Sequence, residues 1–288
     1  MKKAIIFSVG FAGRAIYRKA KSEYEIIGFI DNNKNISGTK YDNITIYHVD
    51  ELKNLDFDII LLGGIWHSQM SEQLLSLGVS SKKIIKVAEK DISYSTNDRE
   101  KATDEAMKKL DEFLQVNNVK YVIHGSSLIS ILRQHSLSHV TDVDIAIFQY
   151  ENLEFLKDNL AKYLPQYDIK IVYFDKDTII SKKGDIRQIA ISDNSDEKIS
   201  FDIFCLFPYD NYLLETYLDK FFYFNKGLFQ DIIRYQYKDF YLSIPKLYDE
   251  MLTNMYGKNY IIPPKTWSNN DYKNLITREE LEKLVNGK

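Results

Sequence analysis

The chain contains 288 residues, of which 44% are hydrophobic and 27% are charged, and its formal net charge is −3. This composition excludes an intrinsically disordered chain, and the small negative charge disfavours a general nucleic-acid binder. The length predicts two domains, and the single cysteine, Cys205, excludes an intramolecular disulfide framework.

Apolar runs of strand length alternate with helical segments in the N-terminal part of the chain. The runs lie at residues 4–9, 25–30, 45–47, 58–62 and 84–87. Buried strands that alternate with helices are typical of βαβ units on a parallel sheet. The pattern therefore predicts an α/β fold that begins with a Rossmann-like parallel-sheet domain over residues 1–92.

The turn after the first run carries a degenerate dinucleotide-binding pattern. Residues 8–13 read SVGFAG, which is G-x-G-x-x-G with serine in the first glycine position. Such a turn brings a phosphate to a helix N-terminus, and an acid near the position of Asp31 binds a ribose hydroxyl. We therefore expect a nucleotide or sugar nucleotide at Gly10, Gly13 and Asp31, with a tight turn that binds no ligand as the alternative. Segments 28–33 and 58–62 resemble the Rossmann-like module that precedes enzymes modifying surface sugars.

A polar stretch follows this domain. Residues 93–105 show no apolar periodicity and are predicted to form a linker. A helix is expected from Ala106, with Met107, Leu110 and Leu114 on its buried face. The second domain is therefore predicted over residues 106–288.

Two carboxylates in this second domain share one face of a predicted strand. Residues 142–147 read DVDIAI, and side chains alternate along a strand, so Asp142 and Asp144 point the same way. Two carboxylates this close raise each other's pKa unless a cation lies between them, and their oxygens suit Mg²⁺ or Mn²⁺. Another alternating strand, at residues 198–204, carries a third acid, Asp202. An isolated Asp-x-Asp at a solvated strand edge is the alternative.

The order of strand, Gly-Ser turn, helix, Asp-x-Asp and strand Asp resembles the DNA polymerase β-like nucleotidyltransferase superfamily. The resemblance implies an α+β fold for the second domain. It implies that Gly125 and Ser126 form a turn that holds a nucleotide phosphate. It also implies that Asp142, Asp144 and Asp202 are the catalytic metal ligands.

Four segments, in the same order, are more specifically similar to the LicD/fukutin-related phosphotransferase family. They are GSSLISILR at 125–133, DVDI at 142–145, FDIF at 201–204, and IPKLYDEML at 244–252, which is followed by Tyr256-Gly257 and two prolines at 263–264. The resemblance implies transfer of phosphocholine or a polyol phosphate from a CDP-activated donor to a hydroxyl of a cell-surface glycan or its lipid-linked precursor. It also implies that Tyr256 and Gly257 belong to the substrate site. Arg133 is expected to clamp the donor phosphate, with a structural role as the alternative.

Three other functions stay open. The acids would equally serve a nucleotidyltransferase that adds NMP to a sugar or small-molecule hydroxyl. A second alternative is a non-catalytic scaffold of a glycan-assembly complex, in which both domains bind sugar nucleotides. A third alternative, based on the first domain alone, is an NAD-dependent oxidoreductase.

The expected surroundings of the protein follow from its hydropathy and charge. No apolar run approaches the roughly 20 residues of a transmembrane helix. We expect a cytoplasmic protein with no transmembrane segment, at most peripheral at the inner face of the membrane. No nucleic-acid partner is expected, and the sequence leaves a homo-oligomer open.

Overall fold

The computed structural model describes residues 1–64, 66–88, 95–193, 199–263 and 271–286. The chain divides into two compact units, the first built on Met1–Tyr94 and the second on Ser95–Ile262 and Asn270–Lys288. Within the described ranges, none of the helices is both long and apolar enough to cross a bilayer.

The first unit is a six-stranded sheet with helices between its strands. Its elements are β1 (Lys3–Phe7), α1 (Phe11–Ala20), β2 (Glu25–Asp31), β3 (Lys40–Tyr41), β4 (Ile44–His48), β5 (Ile59–Leu62), α2 (His67–Ser76) and β6 (Ile84–Lys86). The strand order is β3-β4-β2-β1-β5-β6, and every neighbouring pair is parallel except β3 with β4. The predicted α/β class and parallel sheet are confirmed.

The central strand shows why its sequence reads as one apolar run. Ala4 and Ile6 of β1 pack into the core on one face of the sheet, whereas Ile5 and Phe7 pack into the core on the other. Because both faces are covered, neither set of alternating positions reaches water, and all four residues are apolar.

The second unit combines helices with antiparallel and parallel strands. Its elements are α3 (Asn97–Val116), β7 (Tyr121–Ile123), α4 (Gly125–Gln134), β8 (Val143–Ile147), α5 (Tyr150–Tyr163), β9 (Asp168–Tyr173), β10 (Ile186–Ser192), β11 (Ser200–Cys205), β12 (Phe207–Tyr209), β13 (Tyr212–Tyr217), β14 (Lys220–Asn225), β15 (Ile232–Tyr237), β16 (Phe240–Pro245), α6 (Tyr248–Tyr256), β17 (Leu275–Ile276) and α7 (Arg278–Asn286). One sheet has the order β7-β8-β11-β10-β9, and only β8 and β11 in it are parallel. A second, antiparallel sheet has the order β12-β13-β14-β17, and β15 pairs with β16.

Helix α3 begins inside the segment predicted as a linker. The structure differs from that prediction from Asn97 onward, while residues 93 and 94 lie outside the described residues. The side chain of Thr96 accepts a hydrogen bond from the backbone N–H of Arg99 at 3.1 Å, which caps the helix. The buried side of the first turn of α3 is polar, because Arg99 is 5% exposed and donates hydrogen bonds to the carbonyl oxygens of Val140 and Thr141. Hydrophobic periodicity therefore cannot detect where α3 starts.

Candidate functional site

Three acids from two neighbouring strands meet on one face of the five-stranded sheet. Asp144 of β8 lies directly opposite Asp202 of β11 in the parallel register, and Asp142 immediately precedes β8. Val143 and Ile145, on the other face of β8, are buried. One carboxylate oxygen from each of Asp142, Asp144 and Asp202 lies within 4.8 Å of the others. The structure thus brings together the three acids that the sequence singles out.

The electrostatics of this cluster favour a cation. Burial, together with the charges of Asp142, Asp202 and Glu215, raises the pKa of Asp144 well above its usual range. Burial and the charge of Asp142 raise the pKa of Asp202 to about 6. Like charges in a partly buried site repel each other unless a cation or protons compensate them. Three carboxylates at this spacing fit the oxygen ligands that Mg²⁺ or Mn²⁺ prefers.

The N-terminus of α4 lies against the same acids. The hydroxyl of Ser127 accepts a hydrogen bond from the Asp144 N–H at 2.8 Å, and the hydroxyl of Ser126 hydrogen-bonds to the Asp144 carboxylate. The first turn of α4 contains no acidic residue. Backbone N–H groups at such a helix start favour an anion, so a phosphate could bind between the helix and the acids.

Gly125 begins α4 in a left-handed backbone conformation beside Asp144. It has φ of +55°, a conformation that strains any residue with a Cβ. A Cβ at this position would lie 3.4 Å from the Tyr256 hydroxyl and 3.6 Å from Oδ2 of Asp144. Gly125 and Tyr256, both predicted site residues, therefore lie beside the acid cluster.

Sequence reasoning missed a fourth acid at this site. Glu215 of β13 adds its charge to Asp144, and burial raises the pKa of Glu215 itself to about 8. Within the described part of the chain, its Oε2 atom has no hydrogen-bond partner. The signal in the sequence is that Glu215 is the single charged residue in the segment 212–217, which reads YLLETY.

A buried histidine lies beside this glutamate. The Nδ1 atom of His124 is 4.0 Å from Oε2 of Glu215, and the His124 ring contacts the rings of Phe204, Phe224 and Phe229. Burial lowers the pKa of His124 to about 4. His124 is therefore neutral at physiological pH and does not compensate the negative charge of the cluster.

Two other predicted site residues make different contacts. The guanidinium of Arg133, near the end of α4, donates a hydrogen bond to the carbonyl oxygen of Tyr260. Gly257 ends α6, and its N–H donates to the carbonyl of Thr253 at 2.8 Å. The structure thus places Arg133 in a contact that fixes the segment after α6, which is its alternative, structural role.

The residues predicted to bind a nucleotide surround one turn of the first unit. The N–H of Val9 donates to Oδ2 of Asp31 at 3.1 Å, and the N–H of Gly10 donates to the hydroxyl of Ser8 at 3.1 Å. A Cβ on Gly13 would lie 1.8 Å from the carbonyl oxygen of Ser8, so only glycine permits this packing of α1 on β1. Ser8, in the first glycine position of the pattern, itself has φ of +73°.

One protein-family model matches part of the first unit. The family model described as C2185-like, N-terminal, matches residues 1–85, and no curated protein matches the sequence.

Solved structures resemble the chain only remotely. The chain is similar to UDP-D-quinovosamine 4-dehydrogenase from Vibrio fischeri at 25% identity, over 30% of this chain and 75% of that one, with a TM-score of 0.26. It is similar to a Rex-family repressor at 17% identity, over 41% of this chain and 64% of the repressor, with a TM-score of 0.26. It is also similar to UDP-N-acetylglucosamine 3-dehydrogenase from Acidithiobacillus ferrooxidans at 12% identity, over 78% of this chain and 76% of that one, with a TM-score of 0.24. Similarities at these TM-scores carry no argument about the activity of this chain.

Proposed function

We propose that the second unit is a metal-dependent transferase, similar to LicD enzymes, with a nucleotidyltransferase-like fold. It moves a phospho-alcohol group, phosphocholine or a polyol phosphate, from a CDP-activated donor to a hydroxyl of a glycan. The observation that carries the proposal is the cluster of Asp142, Asp144 and Asp202 within 4.8 Å at the N-terminus of α4. A helix start that favours phosphate next to a site for a divalent cation is the arrangement that such a transfer needs.

Each residue of the cluster has a role in this proposal. Asp142, Asp144 and Asp202 would hold Mg²⁺ or Mn²⁺. When bound, this cation neutralises phosphate charge and polarises the reacting phosphoryl group. Ser126 and the first N–H groups of α4 would orient the donor phosphate. Asp202 would also take the proton of the acceptor hydroxyl.

The proposed reaction conserves atoms and charge in one displacement. The acceptor oxygen forms a bond to the distal phosphorus of the CDP-activated donor. The bond between that phosphorus and the bridging oxygen breaks, and CMP leaves with the electron pair. The acceptor proton passes to the carboxylate.

Substitution of one acid tests this function. Asp144→Asn should lower transfer by about 10³-fold, because a bound cation contributes several kcal/mol of charge stabilisation. The thermal midpoint of the metal-free protein should stay unchanged or rise, since the substitution removes a repelling carboxyl. The assay would incubate the protein with Mg²⁺, a glycan acceptor and CDP-choline, CDP-glycerol or CDP-ribitol, and would follow products by mass spectrometry.

The products distinguish this proposal from its alternatives. Release of CMP supports phospho-alcohol transfer, whereas release of pyrophosphate from a nucleoside triphosphate indicates the nucleotidyltransferase. Wild-type activity in Asp144→Asn would contradict a catalytic role for the cluster. Absence of Mg²⁺ binding in calorimetry would favour the non-catalytic scaffold.

The first unit would bind a nucleotide or sugar nucleotide at the turn formed by residues 8–13, which we call the glycine turn. This part of the proposal is supported by the hydrogen bond from Val9 to Asp31 and by the close packing at Gly13. Both features shape the turn between β1 and α1, where a phosphate would meet the helix N-terminus.

A further inference from the structure

An arginine beside the acid cluster has no role in the function proposed above. Arg187 lies in β10 at an irregularity in the pairing with β9, where Ile186 is opposite Tyr173 but Gln188 is opposite Val172. Arg187 is therefore the additional residue of a β-bulge. Bulges often occur next to active sites, where they change the direction of a side chain.

The bulge accounts for the exposure of Arg187. Strict alternation along β10 would place Arg187 on the same face as Ile189 and Ile191, which are 0% and 1% exposed. Arg187 is instead exposed, although Ile186 before it is buried. The next residue, Gln188, hydrogen-bonds through its side chain to Asp202. The bulge thus allows Arg187 to share the face of the sheet that carries the acids.

The charge of Arg187 acts on two acids from different sheets. Its guanidinium lowers the pKa of Asp202 on β11 and that of Glu215 on β13, in both cases against the larger effect of burial. Across the described ranges, the guanidinium forms no hydrogen bond or salt bridge. Arg187 is therefore an exposed cation near the cluster, and none of the described residues accepts a hydrogen bond from its guanidinium.

Arg133, which the sequence suggested as the residue that binds the donor phosphate, is half-buried and already forms a hydrogen bond within the protein. Its guanidinium donates to the carbonyl of Tyr260, and burial lowers the pKa of Arg133. To bind a ligand, it would have to give up a contact that holds the chain after α6.

We propose that Arg187, and not Arg133, binds the diphosphate of the nucleotide donor. This inference rests on the proposed function, because the acids and their cation define where the diphosphate lies. A guanidinium presents a planar pair of N–H donors that matches two phosphate oxygens, and it offsets phosphate charge that the carboxylates would repel. Arg187 is thus a donor-binding residue of the second unit.

Binding of CDP in the presence of Mg²⁺ tests the inference by calorimetry. Arg187→Gln should weaken CDP binding by about 10- to 100-fold, since hydrogen bonds to charged groups are worth about 1.5–3 kcal/mol. Arg187→Lys should recover only part of the affinity, because an ammonium lacks the paired donors. Binding of Mg²⁺ alone should not weaken in either variant.

Lys162→Gln supplies a control with the same change of charge. Lys162 is exposed in the last turn of α5 and is not one of the residues of the acid cluster. This variant should bind CDP as the wild type does.

The outcomes separate this inference from the proposed function. If wild type and Arg187→Gln bind CDP equally and melt at the same temperature, the assignment of Arg187 is overturned while the transferase proposal stands. If the wild type binds neither CDP nor inorganic pyrophosphate with Mg²⁺, the CDP-donor proposal fails and this inference fails with it. Selective loss in Arg187→Gln, with Lys162→Gln unchanged, supports both.

Discussion

At the scale of residues, the second unit buries several carboxyl groups close to one another, and this arrangement does not stabilise the fold. Asp144, Asp202 and Glu215 all have pKa values raised by burial and, for the two aspartates, by neighbouring carboxylates. A raised pKa means that the folded state binds protons more tightly than the unfolded chain. Stability contributed by these protons is present at low pH and is lost as pH rises through the folded pKa values. The loss of folding stability on ionisation of buried carboxyl groups is common at functional sites.

The pH dependence gives a prediction for Glu215. In metal-free protein, Glu215→Gln should raise the thermal midpoint by about 4 °C or more at pH 9, where the wild-type carboxylate is ionised above its pKa of about 8. At pH 4.5 the wild-type group is already protonated when folded, so the effect should be small. Melting curves at both pH values in EDTA measure it. The exposed Glu105 provides a control, since Glu105→Gln should shift neither curve. Equal midpoints for Glu215→Gln and wild type at pH 9 would contradict the burial of an unpaired carboxylate.

At the scale of elements, the site depends on where α4 begins. Only His124 separates β7 from α4, and Gly125, the first residue of the helix, has a positive φ. The hydroxyl of Ser127 then joins the helix to the backbone of Asp144. A local sequence pattern, strand followed by Gly-Ser-Ser, predicted these elements, because turn chemistry and alternation are local properties. The start of α3 could not be predicted in this way, since Arg99 is buried through contacts with residues 140 and 141.

Substitution of Gly125 tests the element-scale geometry. Gly125→Ala should cost about 1–2 kcal/mol, because its φ is left-handed, and lower the thermal midpoint by several degrees. Transfer should fall by more than about tenfold, because a methyl group would enter the space between the Tyr256 hydroxyl and Asp144. Melting curves and the CMP-release assay measure the two effects. Full activity would show that this space is not used by substrate.

At the scale of the whole molecule, each unit has hydrophobic clusters of its own. The first unit has separate clusters on the two faces of its sheet, and the second unit has one large cluster around β7, β8 and β11. The acids and the glycine turn therefore belong to different units. Ligands of the two sites should stabilise different parts of the chain.

Hydrogen exchange followed by mass spectrometry tests this separation in the intact protein. Mg²⁺ should increase protection of β8, β11 and the first turn of α4, and should leave β1 and α1 unchanged. A sugar nucleotide bound at the glycine turn should protect β1 and α1. Asp144→Asn is the control, because it should remove the Mg²⁺ effect only. Protection by Mg²⁺ in the first unit but not at β8 would contradict the assignment of the metal site.

The sequence by itself determined the features that depend on neighbouring residues. Apolar runs indicated the strands of the first unit, alternation indicated the strands that carry the acids, and the spacing of Asp142 and Asp144 placed both carboxylates on one face. The tertiary structure decided which distant residues join them. Glu215 reaches the cluster from another sheet, the bulge in β10 exposes Arg187 beside the acids, and Tyr260 accepts the donors of Arg133. Strand pairing and bulge positions arise from packing across the whole unit, so no local pattern could specify which arginine is exposed near the acids.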